Sequence, residues 1–358
     1  MTRAERKLDH ITHALSTGQS RATWLDDIRF VHQALPNISW GEVSLQTQIG
    51  ELVLGSPFFI NAMTGGGGAK TTELNSQLAR ISREMNIPMA VGSQMAAIRN
   101  PDEIETYTTI RKENPDGIIF ANLGSEATLD QAKQAVDMLE ADALQIHLNV
   151  IQELTMPEGD RNFKGALQRI EQLVNTLEVP VFVKETGFGI SRETFMKLQE
   201  INVAAVDVGG FGGTNFAAIE NERRQRKLTY FNHWGIPTAA SLIETTSVNT
   251  TIPVIASGGI QHALDIVKCL ALGASAVGLA GVFLKTLVNR GEEATIEEIQ
   301  IIKEDLTMLM VSLGTSSVQE LQSAPLIISG ELHHYLTLRG IDTHTYANRK
   351  IRRVVDKQ

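Results

Sequence analysis

The chain of 358 residues contains one cysteine, so no disulfide can close within it, and that thiol usage suits a reducing compartment. Positive charge is also short. Against 41 Asp and Glu stand 32 Lys and Arg, a net charge of −9, which excludes a dedicated nucleic-acid binder because a phosphate backbone demands a basic face. No apolar run approaches the roughly 20 residues that cross a bilayer. The opening stretch MTRAERKLDHITHAL is charged and has no signal-peptide core. A cytoplasmic protein without membrane association is expected. No low-complexity linker divides the chain, and a charged fraction of 20% beside an apolar fraction of 42% excludes disordered and fibrous classes. Familiar catalytic signatures are missing too. There is no G-x-x-x-x-G-K-[ST], no G-x-S-x-G, and no H-E-x-x-H among the histidines. The GGFGG at 209–213 is not continued into a dinucleotide fingerprint, and a lone cysteine rules out a thiolate zinc site.

Glycine, in contrast, is plentiful and clustered: 29 residues gather into TGGGG, DVGGFGGT, ASGGI and GLAGV. The clusters follow short apolar runs, and such runs recur eight times. They begin at Pro57, Ile87, Gly117, Ala143, Val179, Ala204, Pro253 and Ser275, with starts 30, 30, 26, 36, 25, 49 and 22 residues apart. One strand–helix unit takes about 30 residues. Continuous apolar strands belong to parallel sheets covered by helices, and eight such units fit a closed (β/α)8 TIM barrel better than an open sheet. Helical spacing is predicted over 71–85 and over 261–272, where Cys269 reads as a small core residue. The expected organisation is a single domain over 1–358. Residues 1–50 form an N-terminal extension, a helix and then a hairpin-like cap. Residues 292–358 form a C-terminal helical extension ending in a basic tail that is solvated or contacts another subunit.

In a TIM barrel, ligands meet the C-terminal ends of the strands. Here the apolar run gives way to polar residues and glycine at every exit: NAMT from Asn61, GSQ from Gly92, NLG from Asn122 and HLN from His147. KET from Lys184, DVGG from Asp207, SGG from Ser257 and AG from Ala280 complete the ring. Gly258-Gly259 and Ala280-Gly281 follow the seventh and eighth runs. Glycines there let backbone N–H groups point at a phosphate with a helix N-terminus behind them, although they also serve simple tight turns. Lys184 ends the fifth run; burial of its charge demands a partner, and a substrate phosphate, a carbonyl that forms a Schiff base, the electron-rich N1–C2=O edge of a flavin, or a structural pairing with Glu185 or Asp207 would serve. Gln152 and Glu153 follow the fourth run, as metal and substrate groups or as a solvated loop. Arg6, Lys7 and His10 share one stretch of the first predicted helix. The basic run 222–227 is a lid over an anionic ligand or an exposed loop.

Arg6-Lys7-x-x-His10-Ile11, then NAMTGG, GSQ, ANLG, QIHLN-x-x-QE, VKETGFG, GGT, ASGGI and GLAG, together resemble the type 2 isopentenyl-diphosphate isomerase family. The motifs run in order from residue 6 to residue 283, one per barrel exit, and the stretch ending in Gln152-Glu153 is specific to that family. The resemblance implies isomerisation of isopentenyl diphosphate to dimethylallyl diphosphate by acid/base chemistry of reduced FMN, with Mg²⁺ and with NADPH as the priming reductant. It implies FMN contacts at Ala62, Met63, Thr64, Ser93, Asn122, Lys184 and Thr214, with Gly258, Gly259, Ala280 and Gly281 around the phosphate. Arg6, Lys7, His10, His147, Asn149 and Gln152 would meet substrate, Glu153 would hold the metal, and Gln152 and Lys184 would be catalytic. A homo-oligomer, tetramer or octamer, is also implied. One departure stands out. The family places Ser-Gly where this chain has Gly209-Gly210, which removes a hydroxyl contact to FMN and leaves the Gly209 N–H as its substitute. Two other readings use the same glycine-rich exits: an FMN-dependent oxidoreductase on a small substrate, and a catalytically silent flavin-binding sensor. The first needs a His–Arg pair beside the flavin, and the strand exits carry no arginine.

Overall fold

The computed structural model describes residues 22–62 and 64–351. Eight short strands form its centre: Phe58–Ile60 (β1), Met89–Ala90 (β2), Ile119–Gly124 (β3), Ala143–Leu148 (β4), Val181–Glu185 (β5), Ala205–Asp207 (β6), Val254–Ser257 (β7) and Ala276–Leu279 (β8). Each lies inside one of the eight apolar runs. They pair in parallel in chain order, and β8 returns to β1 with Gly278 opposite Phe59, closing a TIM barrel.

The helices between the strands bury one stripe each. Ala69–Met85 turns Leu74, Leu78, Ile81 and Met85 inward at spacings of three and four. It begins at Ala69 with Gly68 as its N-cap, so Thr71, predicted near the cap, is buried in the first turn. Ala263–Ala271 is capped by His262, whose ring accepts from the Asp265 N–H at 3.4 Å, and Cys269 is fully buried on it.

Strand pleating sorts the interior by size and polarity. Odd strands send Phe59, Phe120, Phe182 and Ile255 inward, while even strands send Ala90, Ala143, Ala205 and Ala276 to the same floor. Large residues thus stand beside small ones, which fills the narrow barrel without voids. Phe120 meets Phe59 and Phe182 edge-on, at centroid distances of 5.6 and 5.4 Å. Two residues further along each strand, the same faces carry Asn61, Asn122, Lys184 and Ser257 from the odd strands, and Gly92, Gln145, Asp207 and Gly278 from the even ones. A polar storey therefore rests on an apolar floor.

The hairpin of Thr47–Ile49 and Leu52–Leu54 closes the opposite end, packing Ile49 and Leu54 against that floor. Ile28–Phe30 pairs antiparallel with Leu326–Ile328, joining the two extensions outside the barrel. Helical spacing did not reveal that strand, because it is only three residues long and sets exposed Ile327 between buried neighbours. The rest of the C-terminal extension is mainly helical, led by Glu292–Leu313, which buries Ile299, Ile302, Leu306 and Met310. Arg80 clasps Glu292 with two hydrogen bonds of 3.0 and 2.8 Å. No described helix is long and apolar enough to cross a membrane.

Candidate functional site

The C-terminal ends of the strands enclose a cavity of about 310 Å³, at the scale of a small-molecule site. Its base is the polar storey, and the groups there are joined by hydrogen bonds. Asn122 accepts from or donates to three neighbours: His147 Nδ1 lies 2.9 Å from its Oδ1, its Nδ2 donates toward Gln145 Oε1 at 3.4 Å, and its N–H donates to Gln94 Oε1 at 3.0 Å. Gln145 is fully buried, and its Nε2 has no hydrogen-bond partner among the described residues.

Lys184 reaches the cavity wall from the inward face of β5. Of the partners open to it, the structure supplies two. Its Nζ donates to the Glu185 carbonyl at 2.9 Å and lies 3.8 Å from Asp207 Oδ2. The Glu185 carboxylate is not a partner of that kind. Strand alternation turns it to the opposite side, where it accepts from the Phe188 N–H. Burial pushes the Glu185 carboxyl up to about 8, against the opposing pull of the Phe188 N–H and the Lys184 charge.

After β7, Gly258 and Gly259 have φ values of +103° and +72°, which glycine adopts freely and other residues resist. A Cβ on Gly258 would collide with the Gly210 carbonyl oxygen, and one on Gly259 would meet Thr23 Cγ2 at 2.6 Å. After β8, helix Gly281–Arg290 starts at Ala280, and its opening N–H groups have no intrahelical partner. Gly258, Gly259, Ala280 and Gly281 all line the cavity. This is a cradle for an anion, built from backbone donors and the positive end of a helix dipole.

On the side of β4, the six-residue helix Val150–Thr155 presents Gln152 and Glu153 to the same cavity, together with its N-cap Asn149 and with His147. Asn149 Nδ2 donates to Glu153 Oε1 at 2.9 Å, and the Asp160 N–H donates to Oε2 at 2.7 Å. Gln152 makes no side-chain hydrogen bond among the described residues. The helix ends against guanidinium groups. Arg161 donates to the Met156 carbonyl at 2.8 Å, and Arg224, from the basic run, donates to the Thr155 carbonyl at 2.8 Å. Arg223 from that run bonds Glu158 at 2.7 Å, so at least this part of 222–227 is tied to the loop that follows the helix carrying Glu153.

Ala62, Ser93, Asn122 and Thr214 also line the cavity. Thr64 stands behind the wall: it is buried, its hydroxyl donates to Asn75 Oδ1 at 2.5 Å, and its carbonyl accepts the Gly92 N–H. Gly209 lines the cavity, yet its N–H is committed to Asp207 Oδ1 at 3.1 Å, so it does not replace the missing hydroxyl as expected. Met63, Arg6, Lys7 and His10 lie outside the described residues. Wall residues that the sequence pattern left unassigned include Glu126, Met156 and Phe216. Phe216 opens the helix directly after Thr214-Asn215, which was its only signal.

The FMN-dependent dehydrogenase family matches residues 124–328. Isopentenyl-diphosphate delta-isomerase of Bacillus licheniformis is 58% identical over 349 residues, covering 98% of this chain and 100% of that protein. The protein of the same name from a Geobacillus species is 56% identical with the same coverage. The chain belongs to the isopentenyl-diphosphate delta-isomerase family. It is accordingly an isomerase built on an FMN-dependent dehydrogenase domain. Solved structures carry the likeness of fold further. A flavocytochrome b2 variant with pyruvate bound superposes with a TM-score of 0.67 at 19% identity, covering 98% of this chain and 90% of that one. A lactate oxidase of Pediococcus acidilactici gives 0.65 at 18%, covering 88% and 87%.

The residues of this isomerase-family chain fit FMN. The glycine cradle suits its phosphate, Lys184 offers a cation to the electron-rich edge of its ring, and the storey around Asn122 offers amides to its polar rim.

Proposed function

We propose that the chain interconverts isopentenyl diphosphate and dimethylallyl diphosphate, using FMN, Mg²⁺ and NADPH as a priming reductant. The observation that carries this reading is that Gln152 and Glu153 share one cavity with the glycine cradle and Lys184. Binding FMN alone requires neither Gln152 nor Glu153. No arginine lines the cavity among the described residues, which disfavours a hydroxy-acid oxidoreductase.

Moving a double bond needs a proton delivered at one carbon and taken from another, with no net change of oxidation state. A hydrocarbon alkene offers no acidic proton, so the acid and base must be held close in a site that excludes water. Reduced FMN would supply that proton chemistry when bound. Lys184 would favour negative charge on the adjacent ring edge. Gly258, Gly259, Ala280 and Gly281 would hold the FMN phosphate, while Ala62, Met63, Ser93, Asn122 and Thr214 would seat its ring, with Thr64 bracing the wall from behind. Glu153 would bind Mg²⁺ with one carboxylate, leaving the remaining positions to water and the diphosphate. Mg²⁺ commonly takes that arrangement, and it agrees with the lack of any cluster of three metal-ligating side chains among the described residues. Gln152 would orient or relay a proton by its amide, and His147 and Asn149 would steady the diphosphate side. Arg6, Lys7 and His10 would neutralise the diphosphate. A cytoplasmic homo-oligomer completes the reading.

The test is a product assay with isopentenyl diphosphate, FMN and Mg²⁺, with and without dithionite. Dimethylallyl diphosphate formed only in the reduced reaction is expected. Holoprotein that binds FMN yet forms no product would return the site to the oxidoreductase or sensor reading.

A further inference from the structure

Asp207 is fully buried at the end of β6 and does not reach the cavity wall, yet four donors converge on it. Ser257 Oγ donates to Oδ1 at 2.5 Å and the Gly209 N–H donates to the same oxygen at 3.1 Å. Asn61 Nδ2 donates to Oδ2 at 2.9 Å, and Lys184 Nζ stands 3.8 Å from that oxygen. Register explains the meeting, because Lys184 on β5 is paired directly with Asp207 on β6. Ser257 ends β7 and Asn61 directly follows β1, so one carboxylate ties together the exits of four of the eight strands at the level of the cavity base.

We propose that Asp207 is a positioning residue for the flavin. It fixes Lys184 at the cavity wall and, by sharing its charge, sets how strongly Lys184 favours the reduced over the oxidised ring. This rests on the reading of Lys184 given above. The physical reason is the one charge that has no exit. A buried carboxylate and a partly buried ammonium 3.8 Å apart hold each other's field in check, where screening by water is weaker than at the surface. Its two remaining hydrogen bonds on Oδ1 spread the carboxylate charge away from Lys184, so the balance between the two is graded rather than complete.

The sign of the effect follows. Asp207→Asn keeps the shape and removes the negative charge, leaving Lys184 with a larger net field on the cavity. The holoprotein then binds reduced FMN more tightly relative to oxidised FMN, by about tenfold, because Lys184 no longer shares its charge with a carboxylate 3.8 Å away and acts more fully on the ring. Lys184→Met acts in the opposite direction. A redox titration of FMN-loaded wild type, Asp207→Asn, Lys184→Met and the double variant reads all of this. The expected result is a more positive midpoint for Asp207→Asn, a more negative one for Lys184→Met, and little further effect of Asp207→Asn when Lys184 is already Met.

An unmoved midpoint in Asp207→Asn overturns the proposal, since a purely structural role weakens both oxidation states alike. An equal shift in the Lys184→Met background also overturns it, because Asp207 would then act on the ring directly. If Lys184→Met itself leaves the midpoint unchanged, the reading of Lys184 fails first. Asp207→Ser serves as the second neutral variant. Failure of both neutral variants to take up FMN, while Lys184→Met still does, assigns Asp207 to scaffolding and overturns the proposal as well.

Discussion

Lys184 and Glu185 are adjacent in the chain and face opposite sides of β5: the lysine looks into the cavity, and the glutamate is buried against the Phe188 N–H on the other side. The two side chains do different work. The lysine serves the site, while the glutamate ties the strand exit to the turn at Thr186–Phe188.

Because burial raises the Glu185 carboxyl to about 8 from an ordinary 4.5, the folded protein keeps a proton that the unfolded chain has lost between those values. Its contribution to stability is complete below about pH 4.5 and is lost as pH rises toward 8. Glu185→Gln removes that dependence. Thermal melts from pH 5 to pH 8 are expected to fall less steeply in the variant, and parallel curves would show that Glu185 is already ionised in the fold.

Gly258→Ala places a methyl group into the Gly210 carbonyl at a φ of +103°. The backbone must move, at a cost of about 1–3 kcal/mol, and the cradle moves with it. FMN affinity is expected to drop by at least about tenfold for 1.4 kcal/mol of lost binding. A fluorescence titration with FMN measures it, and an unchanged affinity would detach Gly258 from the phosphate site.

Gln152→Ala is expected to retain FMN, because the side chain is bonded to nothing else in the described wall. Turnover is expected to fall on the order of 100-fold, the usual yield of one positioned proton-transfer group. Product formation at saturating substrate is the measurement; a wild-type rate would remove Gln152 from the proton path.

Glu153→Gln removes the carboxylate charge and keeps the side chain's size, with one amide oxygen left to accept from either Asn149 Nδ2 or the Asp160 N–H. The Mg²⁺ concentration for half-maximal activity is expected to rise by roughly tenfold or more. A metal titration identical to that of the parent would move the ligand assignment elsewhere.

The barrel was readable because each strand is a continuous apolar run ending in polar or glycine residues, and that pattern is imposed by helices on the outside and a cavity at one end. The lining of the cavity was readable in part. Gly258-Gly259, Ala280-Gly281 and Lys184 stand out by type and by their place after a strand, whereas Gln152-Glu153 read equally as a solvated loop until the family resemblance singled them out; all of them line the cavity. What stayed hidden depends on register. Asp207 appeared as one polar exit among eight and as one of two candidate partners for Lys184, and the choice between them comes from its standing opposite Lys184 across a hydrogen-bonded pair of strands. Likewise Leu326–Ile328 has too few residues to show a period, and its partner Ile28–Phe30 lies almost the whole chain away. Thr64 illustrates the limit of motif spacing. It neighbours the wall in sequence, but its side chain leaves toward Asn75.

The pairing of Ile28–Phe30 with Leu326–Ile328 has a meaning for the order of events during synthesis. During translation, barrel units emerge and collapse from the N-terminal side, but the strand that holds Ile28–Phe30 in place is made only near the end. Thr23, five residues ahead of Ile28, rests on Gly259 at the cradle. The barrel can close only after β8 has emerged to pair with β1, and that rim is fastened later still, when the ribosome has nearly finished. A truncated product lacking the last few dozen residues would hold the strands of the barrel and still leave the lip of its cavity unstitched.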